Sequence, residues 1–139
     1  MPGIFPDQEW LEGLVNYLNT NEDYARIAKN WEGDMIFSIK ADGPLEEDTA
    51  IYLDLWHGQC RSGKILSPDE PLDSDFILTA PFGNFVRVLG GDLDAMQAMM
   101  TRKLSVKGNM AYILRNVPTV LEFVKCAKNA TDKVLGEQA

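Results

Sequence analysis

The sequence predicts an α+β fold on three observations. Apolar residues recur at helical spacing at both ends, alternate with period two through the middle, and nowhere form a repeating strand–helix–strand unit. The chain has 139 residues, 45% hydrophobic and 24% charged, which fits one globular domain over 1–139. A chain of this length buries roughly two thirds of its unfolded surface and needs no staples to hold a core.

The first helix starts near Pro6-Asp7, with Asp7 as N-cap and Glu9 in the first turn. Trp10, Leu11, Leu14, Val15 and Leu18 share its apolar face. Asn19-Thr20-Asn21 breaks it, and Asn21 caps a short second helix through Ala28, with Trp31 following at the edge. From Asp34 to Lys40, Met35, Phe37 and Ile39 alternate with Ile36, Ser38 and Lys40, the pattern of a strand. Ala41-Asp42-Gly43-Pro44 is a turn, since Asp-Gly tolerates positive φ and Pro cannot continue a ladder. Ala50 to Trp56 is the next strand, with Ile51, Leu53 and Leu55 on one side. A third runs from Cys60 to Leu66, interrupted by Gly63, and a fourth from Asp75 to Ala80. Short gaps between strands favour an antiparallel meander.

Helical spacing returns after Pro81, with Phe82, Phe85, Val86 and Leu89 on one face and Gly90-Gly91 as the stop. Asp92 caps a further helix in which Leu93, Met96, Gln97 and Met100 share a face. Leu104 to Lys107 is a short strand, Gly108 turns the chain, and Asn109 caps the last helix. Met110, Ile113, Leu114, Val117, Val120, Leu121 and Val124 keep helical period there. Pro118 interrupts the run by leaving the Leu114 carbonyl without its helical partner. Either the helix kinks or splits, or Asn116 caps a new helix with Pro118 in its first turn.

Charge and cysteine usage bound the function. Net charge is −8, split into −12 over residues 1–100 and +4 over 101–139. Overall acidity argues against nucleic-acid binding. The basic C-terminal quarter is either a solvated face or one that meets an anionic head group or membrane surface. Cys60 and Cys126 form no C-x-x-C pair and read as free thiols of a reducing compartment, the cytoplasm. The segment MPGIFPDQEW has no basic stretch followed by an apolar run, so no signal peptide is expected, and no stretch approaches the 18 or so apolar residues of a membrane span.

Residues for chemistry are sparse. His57 is the sole histidine, which rules out any zinc site needing two, and no metal or cofactor is expected. No G-x-G-x-x-G, G-x-x-x-x-G-K-[ST] or G-x-S-x-G is present. In strand geometry His57 and Cys60 point to opposite faces, and mid-strand Asp54 lies on the exposed side. No catalytic residue is assigned. What stands out is apolar: Met96, Met99, Met100 and Met110 fall within fifteen residues. Methionine suits surfaces that adapt to varied apolar partners, and it is also ordinary core filler. Met99 lies off the Leu93/Met96/Met100 face, so this helix has more to bury than a sheet alone covers.

The segment Val88 to Arg115 reads VLGGDLDAMQAMMTRKLSVKGNMAYILR. It resembles the signature region of the sterol carrier protein (type two) family, whose pattern runs roughly G-x-L-D-x-x-x-A-x-x-x-x-K-L-x-x-x-G-[ND]. Gly91, Leu93, Asp94, Ala98, Lys103, Leu104, Gly108 and Asn109 match it, and the likeness in element order extends over about residues 8–128. Two positions depart: Arg102 stands where the family often has glycine, and Pro118 interrupts a helix that usually runs unbroken. The resemblance implies a five-stranded, mostly antiparallel sheet covered by helices, with an internal hydrophobic tunnel between them. It implies binding and transfer of a lipid-like ligand, such as a fatty acid or fatty acyl-CoA, without catalysis.

On that basis the expected lining includes the sheet residues Phe37, Leu53, Leu55 and Leu78. Phe82, Phe85 and Leu89 are expected from the helix after the sheet, and Met96, Met99, Met100, Met110 and Leu114 from the segments beyond. Arg102, Lys103 and Lys107 are head-group candidates. Two rivals stay open. In one the apolar surplus is a homodimer or partner interface. In the other the chain is an accessory subunit presenting apolar substrates to an enzyme, and Asp54 or His57 matters for activity. Transient membrane contact is compatible with the carrier.

Overall fold

The helix caps legible in the sequence set the positions of the N-terminal elements. A computed structural model describes residues 3–136. Asp7 accepts a 2.8 Å hydrogen bond from the Trp10 amide and starts α1 (Gln8–Thr20). Asn21 accepts one from the Tyr24 amide and starts α2 (Glu22–Ile27). Trp10, Leu11, Leu14 and Leu18 are buried as the periodicity requires. Trp31, expected at an edge, is instead buried, its indole N–H donating to the Gly33 carbonyl.

The period-two segment folds as β2 (Met35–Lys40), β3 (Thr49–Trp56), β4 (Gln59–Leu66) and β5 (Phe76–Pro81). With β6 (Ser105–Lys107) they form a five-stranded sheet ordered β4-β3-β2-β5-β6. The sheet is mixed and mostly antiparallel: β2–β3, β3–β4 and β5–β6 pair antiparallel, while β2 and β5 run parallel. The expected four-strand meander thus stops at β4. The loop after Leu66 returns the chain to the free edge of β2, where Phe37 lies opposite Ile51 on one side and Leu78 on the other. Gly63 does not interrupt β4. A Cβ there would lie 3.0–3.2 Å from Val15, Leu53 and Leu11, so its bare backbone is what lets α1 sit down on the strand.

After the sheet come α3 (Phe82–Gly90), ended by Gly91 in the left-handed region, and α4 (Ala95–Met100). Asp94, not Asp92, caps α4, by accepting from the Gln97 amide. The expected apolar face is therefore displaced: Ala95, Ala98 and Met99 are buried, while Met100 is 65% exposed. Asn109 caps α5 (Met110–Arg115) as expected. The last helix splits, with α6 (Val117–Asn129) carrying Pro118 in its first turn. Asn116 leads into α6, but its side chain bonds back to the Tyr112 carbonyl and not to the new helix.

One pairing has no counterpart in the sequence reading. β1 (Gly3–Phe5) runs parallel to β7 (Thr131–Val134), joining the two ends of the chain as a second, two-stranded sheet. The helices cover one face of the five-stranded sheet. α1 packs on β4, α3 on β5 and β2, and α6 touches all five other helices.

Candidate functional site

The sheet face and α6 do not close on one another completely. Between them lies an apolar cavity of about 80 Å³. Its floor is Met35 and Phe37 of β2, Ile51 and Leu55 of β3 and Leu78 of β5. These residues project to one side because alternate strand positions share a face. The roof is Val120, Phe123, Val124 and Ala127, at the spacing that puts them on one side of α6. Phe123 stacks on Phe37 with ring centroids 5.7 Å apart, and Phe85 meets Phe37 edge-on at 6.1 Å. Phe5 continues the aromatic wall, 4.8 Å from Trp10 and 6.5 Å from Phe85.

Of the expected lining residues, the structure brings Phe37, Leu55, Leu78, Phe85, Leu89 and Met99 to the cavity wall. The other six do not reach it. Leu53 is sealed in the core beneath α1, and Phe82 is buried against Phe5. Met96 and Met110 are half-buried, while Met100 and Leu114 face solvent at 65% and 48% exposure. For Met96 and Met100 the reason is the two-residue displacement of the α4 cap. For Leu114 it is the split at Asn116, which ends the helical phase carried on from Met110. Arg102 and Lys103 are exposed, in a loop flanked by the wall residues Met99 and Leu104. Lys107 stands on the sheet face away from the cavity, because its neighbour Val106 is the residue opposite Leu78.

The wall also contains Trp10, Tyr24, Trp31, Ile113 and Phe123, which the sequence reading placed in ordinary core or left unassigned. The signal that finds them is a surplus of large apolar residues on helices that already have a partner face.

The remaining candidates for chemistry lie outside the wall. Burial pushes the Cys60 thiol up to about 11, and Cys126 likewise. Asp54 is held by both ends of the Arg61 guanidinium at 3.1 Å. His57 sits in the β3–β4 turn with Nε2 2.7 Å from a Glu32 carboxylate oxygen. Among the described residues, no three His, Cys, Asp or Glu side chains cluster as a metal site, and no helix is long and apolar enough to cross a membrane.

A helix-covered mixed sheet with an apolar cavity beneath the helices is an architecture that can hold an apolar ligand, and comparison with known proteins gives it a family. The family model of the SCP-2 sterol transfer family matches residues 14–120, well over half of the chain, and the chain belongs to that family. A crystal structure of sterol carrier protein 2 is similar with a TM-score of 0.80 at 30% identity, over 88% of this chain and 95% of that one. The solution structure of a conserved hypothetical protein from Thermus thermophilus, described as possibly sterol carrier protein, gives 0.82 at 28%, over 94% and 93%. Sterol carrier protein 2 from Yarrowia lipolytica in its apo form shares the fold at 0.59 and 23% identity, over 90% and 94%. No curated protein sequence matches the chain significantly.

Proposed function

We propose that this chain binds one lipid-like apolar ligand, a fatty acid, fatty acyl-CoA or similar chain, in the cavity between the sheet and α6, and carries it without altering it. The observation that supports this most is the wall itself, assembled from nearly every element and almost wholly apolar. Burial is worth about 0.8 kcal/mol per methylene, so a twelve-carbon chain gains about 10 kcal/mol. Association costs of roughly 4 kcal/mol leave binding of order tens of micromolar, tight enough to carry and weak enough to release. The thiols are held protonated, and Asp54 and His57 are engaged away from the cavity, which supports a role without catalysis. Arg102 and Lys103, flanked in sequence by wall residues, are the proposed contacts for an anionic head group. The exposed apolar side chains Met100, Leu114 and Leu121 support transient contact with a membrane surface during exchange.

The test is a cavity block. Val120→Phe puts a ring into the free space from the roof. Uptake of a fluorescent fatty acid should fall at least tenfold while the far-UV circular dichroism of the variant stays that of the parent. Undiminished uptake by a folded Val120→Phe protein contradicts binding in this cavity. Concentration-dependent self-association of an apo protein that takes up no lipid would favour the interface reading instead.

A further inference from the structure

Four side chains of the cavity wall carry a polar hydrogen, and three of them are already used. The Trp10 indole donates to Thr131 Oγ1 at 2.7 Å, the Trp31 indole to the Gly33 carbonyl at 2.9 Å, and the Thr119 hydroxyl to the Ile27 carbonyl at 3.2 Å. The fourth is Tyr24. Its side chain is 1% exposed, and its hydroxyl has no hydrogen-bond partner among the described residues. Among the described residues no fully enclosed side-chain polar atom lacks a partner, so the Tyr24 hydroxyl is not walled in by protein and borders free space. Tyr24 lines the cavity and is almost completely buried, which favours the cavity as the space its hydroxyl borders.

A buried hydroxyl without a partner is costly. A water held there would want two to four polar partners, and the other polar side chains of the wall, Trp10, Trp31 and Thr119, already spend their hydrogens elsewhere. An oxygen that arrives on an apolar body does not share that difficulty. Its nature is constrained as well. Burial holds the Tyr24 phenol well above its ordinary range, with Cys60 and Cys126 adding in the same direction, so it is a neutral donor. No Lys, Arg or His side chain lines the cavity. An ionised carboxylate brought to Tyr24 would be a desolvated charge with a single hydrogen bond.

We propose that Tyr24 is the polar anchor of the cavity, donating a hydrogen bond to a neutral oxygen, as hydroxyl, carbonyl or ester, on the buried part of an otherwise apolar ligand. The anchor makes this residue a determinant of ligand class. Among lipids of equal apolar size, those with such an oxygen are preferred to those without. The proposal rests on lipid binding in this cavity.

Two probes of matched length separate the anchor from the cavity. 1-Decanol carries a neutral oxygen, and 1-decanethiol replaces it with a poor hydrogen-bonding sulfur. Both are titrated into the parent and Tyr24→Phe proteins, read by tryptophan fluorescence, since Trp10 and Trp31 line the cavity. Tyr24→Phe should weaken 1-decanol about fivefold and change 1-decanethiol by less than about twofold. Equal losses for both probes, or no loss for 1-decanol, overturn the anchor and leave lipid binding standing. Failure of the parent protein to bind either probe overturns both. The ligand-free proteins give an independent reading. Removing an unpartnered hydroxyl should leave the melting midpoint of Tyr24→Phe equal to or above that of the parent. A clear drop would mean that the hydroxyl is partnered without ligand, and would overturn the proposal without any titration.

Discussion

Arg102 holds φ at 63°, in the left-handed region where an L side chain crowds the following carbonyl. It follows the last turn of α4, the position where a left-handed residue ends a helix and glycine is usual. The departure from the family pattern visible in the sequence therefore has a backbone consequence. Arg102→Gly should leave chemical stability unchanged or raise it by up to about 1 kcal/mol, since relief of strain is partly offset by the freedom glycine gains when unfolded. A loss of stability in urea melts would mean the arginine side chain contributes more than its backbone costs. The thiols give a second expectation at this scale. Cys60 and Cys126 are raised from 9.0 to about 11, burial being the main cause in both. The unfolded chain loses these protons first, so the stability tied to neutral thiols is complete below about pH 9 and drains away as pH rises towards 11. Melting midpoints across that window should fall more steeply in the parent than in a Cys60→Ala, Cys126→Ala double variant. Parallel slopes would contradict it. That both cysteines are free was legible from their number and spacing. That they are buried beside the cavity tyrosine was not, because it depends on α2, α6 and β4 meeting.

The segment that carries the family likeness is mostly scaffold. Asp94 and Asn109 cap α4 and α5, and Ala98 is fully buried. At Gly108, with φ 139°, a Cβ would lie 2.5 Å from the Asp75 carbonyl oxygen. Of the matched residues only Leu104 lines the cavity. This is why the sequence could announce the fold and half-miss the wall: the motif fixes where the chain turns, and the lining depends on helical phase. Moving the α4 cap from Asp92 to Asp94 changed which methionine faces inward, and Met99, the one off the expected face, is the one that lines the cavity. Strand residues were easier, since period two leaves two options and β2, β3 and β5 each supplied lining from the expected face. The parallel β2–β5 and β1–β7 pairings were invisible because partner choice across long separations leaves no local trace. At Gly63, α1 and β4 depend on a missing side chain. Gly63→Val should cost about 1–3 kcal/mol by overpacking Leu11, Val15 and Leu53. A neutral result in thermal melts would show that α1 can lift from the strand without loss.

At the scale of the whole molecule, the cavity as it stands is smaller than a long-chain lipid. The cavity of about 80 Å³ is smaller than an engineered 150 Å³ apolar cavity that stays dry and admits benzene. Uptake of a long chain then requires the roof to move from the floor, and the wall is suited to it, with Met35 and Met99 as its adaptable members. A ligand that binds only the folded chain should raise the unfolding free energy by about 2.7 kcal/mol at a hundredfold excess over its Kd. Differential scanning calorimetry with 1-decanol checks this, and an unchanged midpoint would contradict it. The most direct test of the central claim is native mass spectrometry of the purified protein, followed by solvent extraction and lipid analysis. A carrier shows a near-stoichiometric mass increment that extracts as a lipid, or one that appears after incubation with fatty acid or acyl-CoA. A mass that stays that of the bare chain under both conditions would contradict it.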